Sequence, residues 1–186
     1  MSKDMRGQDL REYKFFQADF QDANLEDAIM DHVIMERISF ERANLCRATL
    51  KHANIGDINF NYANLRQANM SDAGLTRCQL NNVDFTEVDL GHVLIADSSA
   101  ENSDFTQANL YHTTINSSTL HGSTFREANL QSASINWSEG ESTDFTNAKM
   151  NMIAFKCKVS NSTFDHASIE HGNIELNGDN ISIKNV

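Results

Sequence analysis

The stretch Tyr62-Ala63-Asn64-Leu65-Arg66-Gln67-Ala68-Asn69-Met70-Ser71-Asp72-Ala73-Gly74-Leu75 repeats one pattern every five residues. A small residue stands at Ala63, Ala68 and Ala73, and a large apolar residue follows each of them two places later. The other three places are mostly polar. A period of five fits neither an α-helix, with about 3.6 residues per turn, nor a strand, whose side chains alternate. The stretch therefore predicts a repeat architecture.

The period extends far beyond this stretch. From Leu10 to Phe155, every residue whose number is a multiple of five is large and apolar, except Ala100 and Gly140. The count runs through this range without an insertion or a deletion. Self-similarity at a fixed period is the signature of a solenoid, in which each repeat buries its apolar residues against its neighbours.

The arrangement of the five places predicts the path of the chain. If each pentapeptide forms a short extended segment and a tight turn, four of them close one coil, and the large and small residues point inward. Successive coils stack at about 4.8 Å, so residues 20 apart lie above one another. The predicted core includes Phe20, Leu25, Phe40, Leu45, Phe60, Leu65, Phe85, Phe105, Phe125 and Phe145, with two columns of stacked Phe rings.

The pattern resembles the pentapeptide-repeat family, whose consensus is A-[DN]-L-x-x. The motif stands unaltered at Ala23-Asn24-Leu25, Ala43-Asn44-Leu45, Ala63-Asn64-Leu65, Ala108-Asn109-Leu110 and Ala128-Asn129-Leu130. The resemblance implies an all-β fold, a right-handed quadrilateral parallel β-helix of about eight coils. We expect an N-terminal cap at residues 1–9, the β-helix at residues 10–175, and a C-terminal cap or β extension at residues 176–186.

Some positions predict irregular structure. Ala100 and Gly140 supply little core mass in one column, so we expect a flatter or bulged face there, with Trp137 exposed beside it. After Phe155 we expect Ser160 in a core position and a register that slips by one residue at Phe164.

The last residues and the cysteines give further expectations. The segment Ile174–Ile183 is interpreted as two short strands around an Asn-Gly turn. Cys78 falls in the small inward place, whereas Cys46 and Cys157 fall in outward places and are expected to be free thiols.

Composition limits the function. The chain of 186 residues contains no Pro and carries a net charge of −11. No apolar run is long enough to span a membrane, and the first residues do not resemble a signal peptide, so we expect a cytoplasmic protein. The acidic balance disfavours nucleic acid and anionic membrane as direct partners and favours a protein with a basic groove.

One outward column contains His32, His52, Asp72, His92 and His112, each 20 residues from the next and expected about 4.8 Å apart. Histidine and carboxylate are zinc ligands, so this face is a candidate metal site. The alternative is a solvated ladder, because an open face lacks the supporting hydrogen bonds of most metal sites.

A second outward column alternates in sign, with Arg37, Asp57, Arg77 and Asp97, and is interpreted as a surface ion-pair ladder. No catalytic motif is present, and a rod filled by its own side chains is expected to have no pocket. We therefore expect no enzymatic activity and no cofactor.

Three functions remain open. Some proteins of the resembled family mimic DNA and occupy the DNA-binding surface of DNA gyrase, conferring quinolone resistance or toxin immunity. The alternatives are a scaffold or effector module for another protein, which could dimerise through a terminus, and the metal-binding histidine face. The candidate protein-binding acids are Asp22, Asp27, Glu87, Glu101, Asp104, Glu127, Glu141 and Asp144.

Overall fold

The computed structural model describes residues 4–11 and 13–185, which wind into an all-β parallel solenoid of about eight turns. One face carries nine strands that pair in chain order, each parallel to the next. The register is 20 residues per coil through most of the rod, so that Ile95 lies opposite Ile115. We call this the strand face. Its strands are β1 (Phe15–Phe16), β2 (Ile34–Glu36), β3 (Asn54–Gly56), β4 (Gly74–Thr76), β5 (Leu94–Ala96), β6 (Thr114–Asn116), β7 (Ser134–Glu139), β8 (Ala154–Lys158) and β9 (Asn173–Asn177).

The other three faces are held by single parallel bridges between consecutive coils. Asn24 bridges to Asn44, Ile29 to Thr49, and Asp19 to Ser39. Together with the strand face, these three series give each coil four sides, which confirms the predicted β-solenoid. The described residues contain no helix, and accordingly no helical segment in residues 4–11 and 13–185 could cross a bilayer.

The core is the predicted column of large residues. All ten predicted core residues are buried, from Phe20 at 8% exposure to Phe105 at 0%. Phe85, Phe105, Phe125 and Phe145 form one continuous stack of nearly parallel rings, and Phe20, Phe40 and Phe60 form another. Both predicted aromatic columns are confirmed, and their ring spacing equals the coil spacing because each ring rests on the ring one coil away.

The small residues that point inward change from apolar to polar along the rod. They are mainly Ala in the first coils, but after Ile95 many are buried Ser or Thr. These hydroxyls are paired: Ser103 Oγ accepts a hydrogen bond from the Val83 N–H at 3.1 Å and donates to the Leu80 carbonyl. Since a buried hydroxyl without a partner is costly, this pairing explains why Ser can replace Ala in the core.

Each corner is a tight turn with a left-handed residue. At one such turn the Ala43 N–H donates to the Phe40 carbonyl at 2.9 Å, and the residue between them, Arg42, has a φ of 56°. A positive φ at the third turn residue is typical of a type II turn. From Gln17 to Met152, every fifth residue has a positive φ. Asn, Asp and His tolerate this conformation better than most residues, which accounts for their frequency in the corner positions.

The register slips earlier than the sequence suggested. Trp137 lies in a bulge between Asn136 and Ser138, and beyond it Ser138 pairs with Cys157, one residue short of a full coil. The bulge is present beside Gly140, but the coil of Ala100 keeps the 20-residue register, and two further expectations were wrong. Val159, not Ser160, fills the core position, and Cys157 is buried rather than outward. Because this coil is one residue shorter, each side chain after the bulge takes the position of the next residue in a regular coil, and Cys157 therefore points inward.

The C-terminal hairpin prediction was also wrong. β9 pairs parallel to β8, and Ser182 then bridges to Thr163, so the chain continues into a further coil. The Asn-Gly pair does not reverse the chain: the Val159 N–H donates to the Asn177 carbonyl at 2.8 Å and the Asn161 N–H donates to the Asp179 carbonyl at 2.9 Å, as between consecutive coils.

The N-terminal residues are also part of the stack, since Asp4 and Asp9 already form parallel bridges to the next coil. The proposed division at residues 9/10 and 175/176 stays a prediction.

Candidate protein interface

Seven acids lie on one face of the rod and on its two corners. Asp84 bridges to Asp104, and the same series continues through Thr124 to Asp144, so these carboxylates form one column along the face. Glu101 and Glu141 lie on the corner before this column, and Glu87 and Glu127 on the corner after it. We call the set the acidic strip; its members are Asp84, Glu87, Glu101, Asp104, Glu127, Glu141 and Asp144.

The aspartates of the strip are held by the turns beside them. Asp104 Oδ1 accepts the Thr106 N–H at 2.9 Å, and Asp144 Oδ1 accepts the Thr146 N–H at 2.8 Å. These bonds fix the carboxylates on the rod surface, with Asp104 half-buried. One carboxylate of the column also has a countercharge, since Asp144 lies 3.2 Å from Arg126 Nη1.

The glutamates of the strip are less compensated. Glu127 accepts a hydrogen bond from Gln107 Nε2 at 2.8 Å, and Glu141 accepts one from Asn161 Nδ2 at 3.2 Å. Within the described part of the chain, Glu101, Glu127 and Glu141 form no ion pair with Lys or Arg. Glu87 differs, because it pairs with Arg66.

The two remaining candidate acids are neutralised. Asp22 lies 2.8 Å from Arg42 Nε, and Asp27 lies 2.8 Å from Arg47 Nε in the next coil. Hydrogen bonds from these guanidinium groups hold the pKa of both carboxyls below the usual value. Asp22 and Asp27 are therefore placed in a mixed-charge region, away from the acidic strip.

The net charge is concentrated in the middle of the chain. Residues 78–148 contain ten acids and only one base, Arg126, so this segment carries −9 of the total −11. A division of the chain into halves hides this concentration, because residues 1–77 contain 10 bases against 12 acids and are nearly neutral. Asp84 was missed among the candidate residues, although its place 20 residues before Asp104 would have identified it.

The histidine column is ordered as two stacked pairs. The rings of His32 and His52 have centroids 4.8 Å apart, and those of His92 and His112 are 5.2 Å apart. Asp72 Oδ2 lies 3.9 Å from His52 Nδ1. The described residues contain no group of three or more His, Cys, Asp or Glu side chains arranged to hold a metal. All five members have a positive φ, so the turn geometry alone favours these residue types.

The alternating column forms one strong pair. Arg77 Nε lies 2.7 Å from Asp57 Oδ1, and a second bond joins Nη2 to Oδ2. Arg37 instead faces Glu36 of its own coil at 3.7 Å. The predicted ion-pair ladder is therefore present between Asp57 and Arg77, whereas Arg37 pairs with Glu36 instead of Asp57.

The axis of the rod is filled, but its surface is not smooth. A furrow of about 410 Å³ lies on the outer side of β7, β8 and β9, beside Trp137. Its floor includes Cys157, whose burial raises the pKa of the thiol to about 12, and burial raises the pKa of Cys78 to about 11. Neither thiol is a thiolate at neutral pH, so neither is an activated nucleophile.

Comparison with family models identifies the class of protein. The model described as "Pentapeptide repeat region" matches residues 28–105, and "Pentapeptide repeats (8 copies)" matches residues 89–131 and 103–139. The chain belongs to the pentapeptide-repeat proteins. No match is found among curated proteins.

Two of the solved structures that are similar to this chain belong to proteins with different descriptions. HetL from the cyanobacterium Nostoc sp. strain PCC 7120, described as involved in heterocyst differentiation regulation, is 14% identical; the alignment covers 95% of this chain and 89% of HetL, with a TM-score of 0.50. QnrB1, a plasmid-mediated fluoroquinolone resistance protein, is 13% identical; the alignment covers 100% of this chain and 93% of QnrB1, with a TM-score of 0.40. At 14% identity, the likeness to HetL is one of fold alone.

Proposed function

We propose that this chain is a non-enzymatic binding rod whose acidic strip occupies a basic groove on a protein partner. The observation that carries the proposal is the gathering of seven carboxylates on one side of the rod within three coil spacings. That distance is about 14 Å, over which B-DNA presents about eight phosphate charges. Arg66 and Arg126 neutralise two of the seven carboxylates, so the strip presents five uncompensated charges over this distance, more than half the charge density of DNA.

The rigidity of the strip supports this role. Its aspartates are fixed by backbone hydrogen bonds, and each coil holds its neighbours at a constant spacing. A preorganised row of charges loses little conformational entropy on binding, which favours affinity. A groove that normally binds DNA is the partner of matching shape and charge, and DNA gyrase is the first candidate. We also propose that the protein acts in the cytoplasm.

A supercoiling assay tests the gyrase version directly. Added protein should inhibit gyrase, and the triple variant Glu101→Gln, Glu127→Gln, Glu141→Gln should lose most of that inhibition. The matched control is Asp31→Asn, Asp97→Asn, Glu170→Gln, which removes the same charge outside the strip and should retain the inhibition. Equal loss in both variants would show that net charge, not the strip, is responsible.

Absence of any effect of the wild-type protein on gyrase would reject gyrase as the partner. Binding through the strip can then be tested with a cationic surface. Capture of the wild type on immobilised polylysine should exceed capture of the strip variant, while the control variant should bind like the wild type. The same three proteins serve as bait in a pull-down for another partner.

A homodimer through the C-terminal coil is a further part of the proposal. β9 pairs with β8 on one side, and no described strand lies on its other side. An open strand edge can pair with a second chain. Analytical ultracentrifugation should therefore detect a dimer, and a monomer at high concentration would contradict this part.

A further inference from the structure

The furrow beside Trp137 exists because the chain omits one corner. In the coils that precede β7 in the chain, the residue at this corner has a positive φ, as Trp137 itself does at 56°. At Cys157 and Leu176 no such turn occurs, and β8 and β9 run straight across the corner for five residues each. The straight strands leave a furrow of about 410 Å³, and Trp137 stands at the end of the furrow toward the N terminus. Ligand pockets typically have volumes of about 300–1,000 Å³.

The Trp137 side chain is exposed to solvent and does not contribute to the core. Its side chain is 80% exposed, the largest exposure among the large hydrophobic residues of the described chain. Its positive φ is shared by the other corner residues of the rod, so the exposure of the side chain, not the backbone, distinguishes Trp137. A flat aromatic surface held in the open, at the rim of a furrow, is a common feature of binding sites.

The charged side chains of the furrow restrict the ligand. Lys156 pairs with Glu175 at 2.8 Å, so these two residues neutralise each other. Lys158 has no ion pair among the described residues, and the nearest basic atom to Glu139 is His121 Nε2 at 4.0 Å. Apart from the Lys156–Glu175 pair, the furrow therefore has one acid, Glu139, and one base, Lys158, so its net charge is close to zero. The site therefore disfavours ligands of either net charge.

We propose that the Trp137 furrow binds a neutral saccharide. The C–H face of a pyranose ring packs against the indole, while sugar hydroxyls donate to Glu139 and accept from Lys158. Hydrogen bonds to ionised groups are stronger than neutral ones, so a polyhydroxylated neutral ligand uses both signs of charge in the furrow. This assignment is independent of the acidic strip.

The chain contains a single Trp, so its fluorescence reports on this site alone. Titration with cellobiose, maltose and the disaccharide of N-acetylglucosamine should give a saturable blue shift with at least one of them, with a dissociation constant on the order of millimolar. Glycyl-phenylalanine, adenosine monophosphate and arginine amide serve as zwitterionic, anionic and cationic probes. A shift with one of these probes and with none of the sugars would overturn the proposal, as would no shift with any ligand.

Variants give a second measurement by ligand-detected NMR. Trp137→Ala should abolish saccharide binding, Trp137→Phe should retain part of it, and Glu139→Gln with Lys158→Met should weaken it about tenfold. Tyr62→Ala is the matched control, since Tyr62 is also an exposed aromatic with a positive φ, on a distant coil. Unchanged binding in Trp137→Ala, or equal loss in Tyr62→Ala, would contradict the assignment; thermal unfolding verifies that each variant is folded.

The acidic-strip variant distinguishes this inference from the proposed function. Glu101→Gln, Glu127→Gln, Glu141→Gln should bind the saccharide as the wild type does. Loss of saccharide binding in that variant would show that the furrow does not act by itself.

Discussion

The rings of Phe105 and Phe125 are parallel within 1°, with 4.7 Å between their centroids. This spacing is the repeat distance of the coils, and it places each ring in contact with the rings above and below. The axis of the rod is therefore a continuous apolar column, in which every residue stabilises two neighbouring coils.

Shortening one ring of this column should destabilise the rod strongly. Phe105→Ala should lower the free energy of unfolding by about 3–5 kcal/mol, because it leaves a cavity that the flanking coils cannot close. Phe105→Leu should cost about 1.5 kcal/mol or less, since the same column holds Leu at Leu25, Leu45 and Leu65. Urea unfolding measures both. Phe16→Ala is the control, because Phe16 is exposed, and a loss there equal to that of Phe105→Ala would contradict the model of the core.

The corners should prefer residues that accept a positive φ. Ser132 has a φ of 59°. Ser132→Gly should be close to neutral, because relief of the left-handed strain offsets the greater freedom of Gly in the unfolded chain. Ser132→Val should destabilise by about 1–2 kcal/mol, since a β-branched residue fits this region poorly. Equal unfolding midpoints for the two variants in urea would argue against the turn geometry.

Two glycines should respond oppositely to Ala. A Cβ at Gly178 would lie 1.9 Å from the Val159 carbonyl oxygen, and its φ is +156°, so Gly178→Ala should disrupt the last coil. A Cβ at Gly74 would have no atom within 4 Å, so Gly74→Ala should be tolerated or stabilise by up to about 1 kcal/mol. Hydrogen exchange should show the loss at residues 159–185 only in Gly178→Ala. Protection of that segment in both variants would contradict the close approach.

The N-terminal ion pairs should stabilise the rod in a pH-dependent way. Hydrogen bonds from Arg47 lower the pKa of Asp27 below its unfolded value of 3.8. A carboxyl with a lowered folded pKa stabilises the protein above the unfolded pKa, and this contribution is lost as the pH falls through the folded pKa. Arg47→Met should therefore lower the melting temperature at pH 7, and the difference from wild type should shrink below pH 3.8.

The control for this pH dependence is Lys51→Met, because the Lys51 side chain forms no ion pair with the described residues. Its melting temperature should follow that of the wild type at both pH values. A difference between wild type and Arg47→Met that persists at low pH would show that packing of the Arg47 stem, not its charge, is responsible.

The corner residues show how far the sequence predicts the surface. The spacing of His32 and His52 follows directly from the period, and the structure confirms it. The sequence could not tell which acids would be neutralised, because Asp22 and Glu101 occupy similar corners. The difference depends on whether an Arg lies one coil away with a side chain of the right conformation, as Arg42 does for Asp22.

The sequence by itself determined the solenoid, its core and its turns. The five-residue period places the large residues on the inner side of each coil, so the burial of Leu65 and Phe105 follows from the sequence. The tertiary structure alone decided where the register slips, and hence that Cys157 points inward and that a furrow opens beside Trp137. A deletion of one residue can be absorbed at several places along a coil, and the choice among them depends on which backbone hydrogen bonds and core contacts survive, which a linear pattern does not encode.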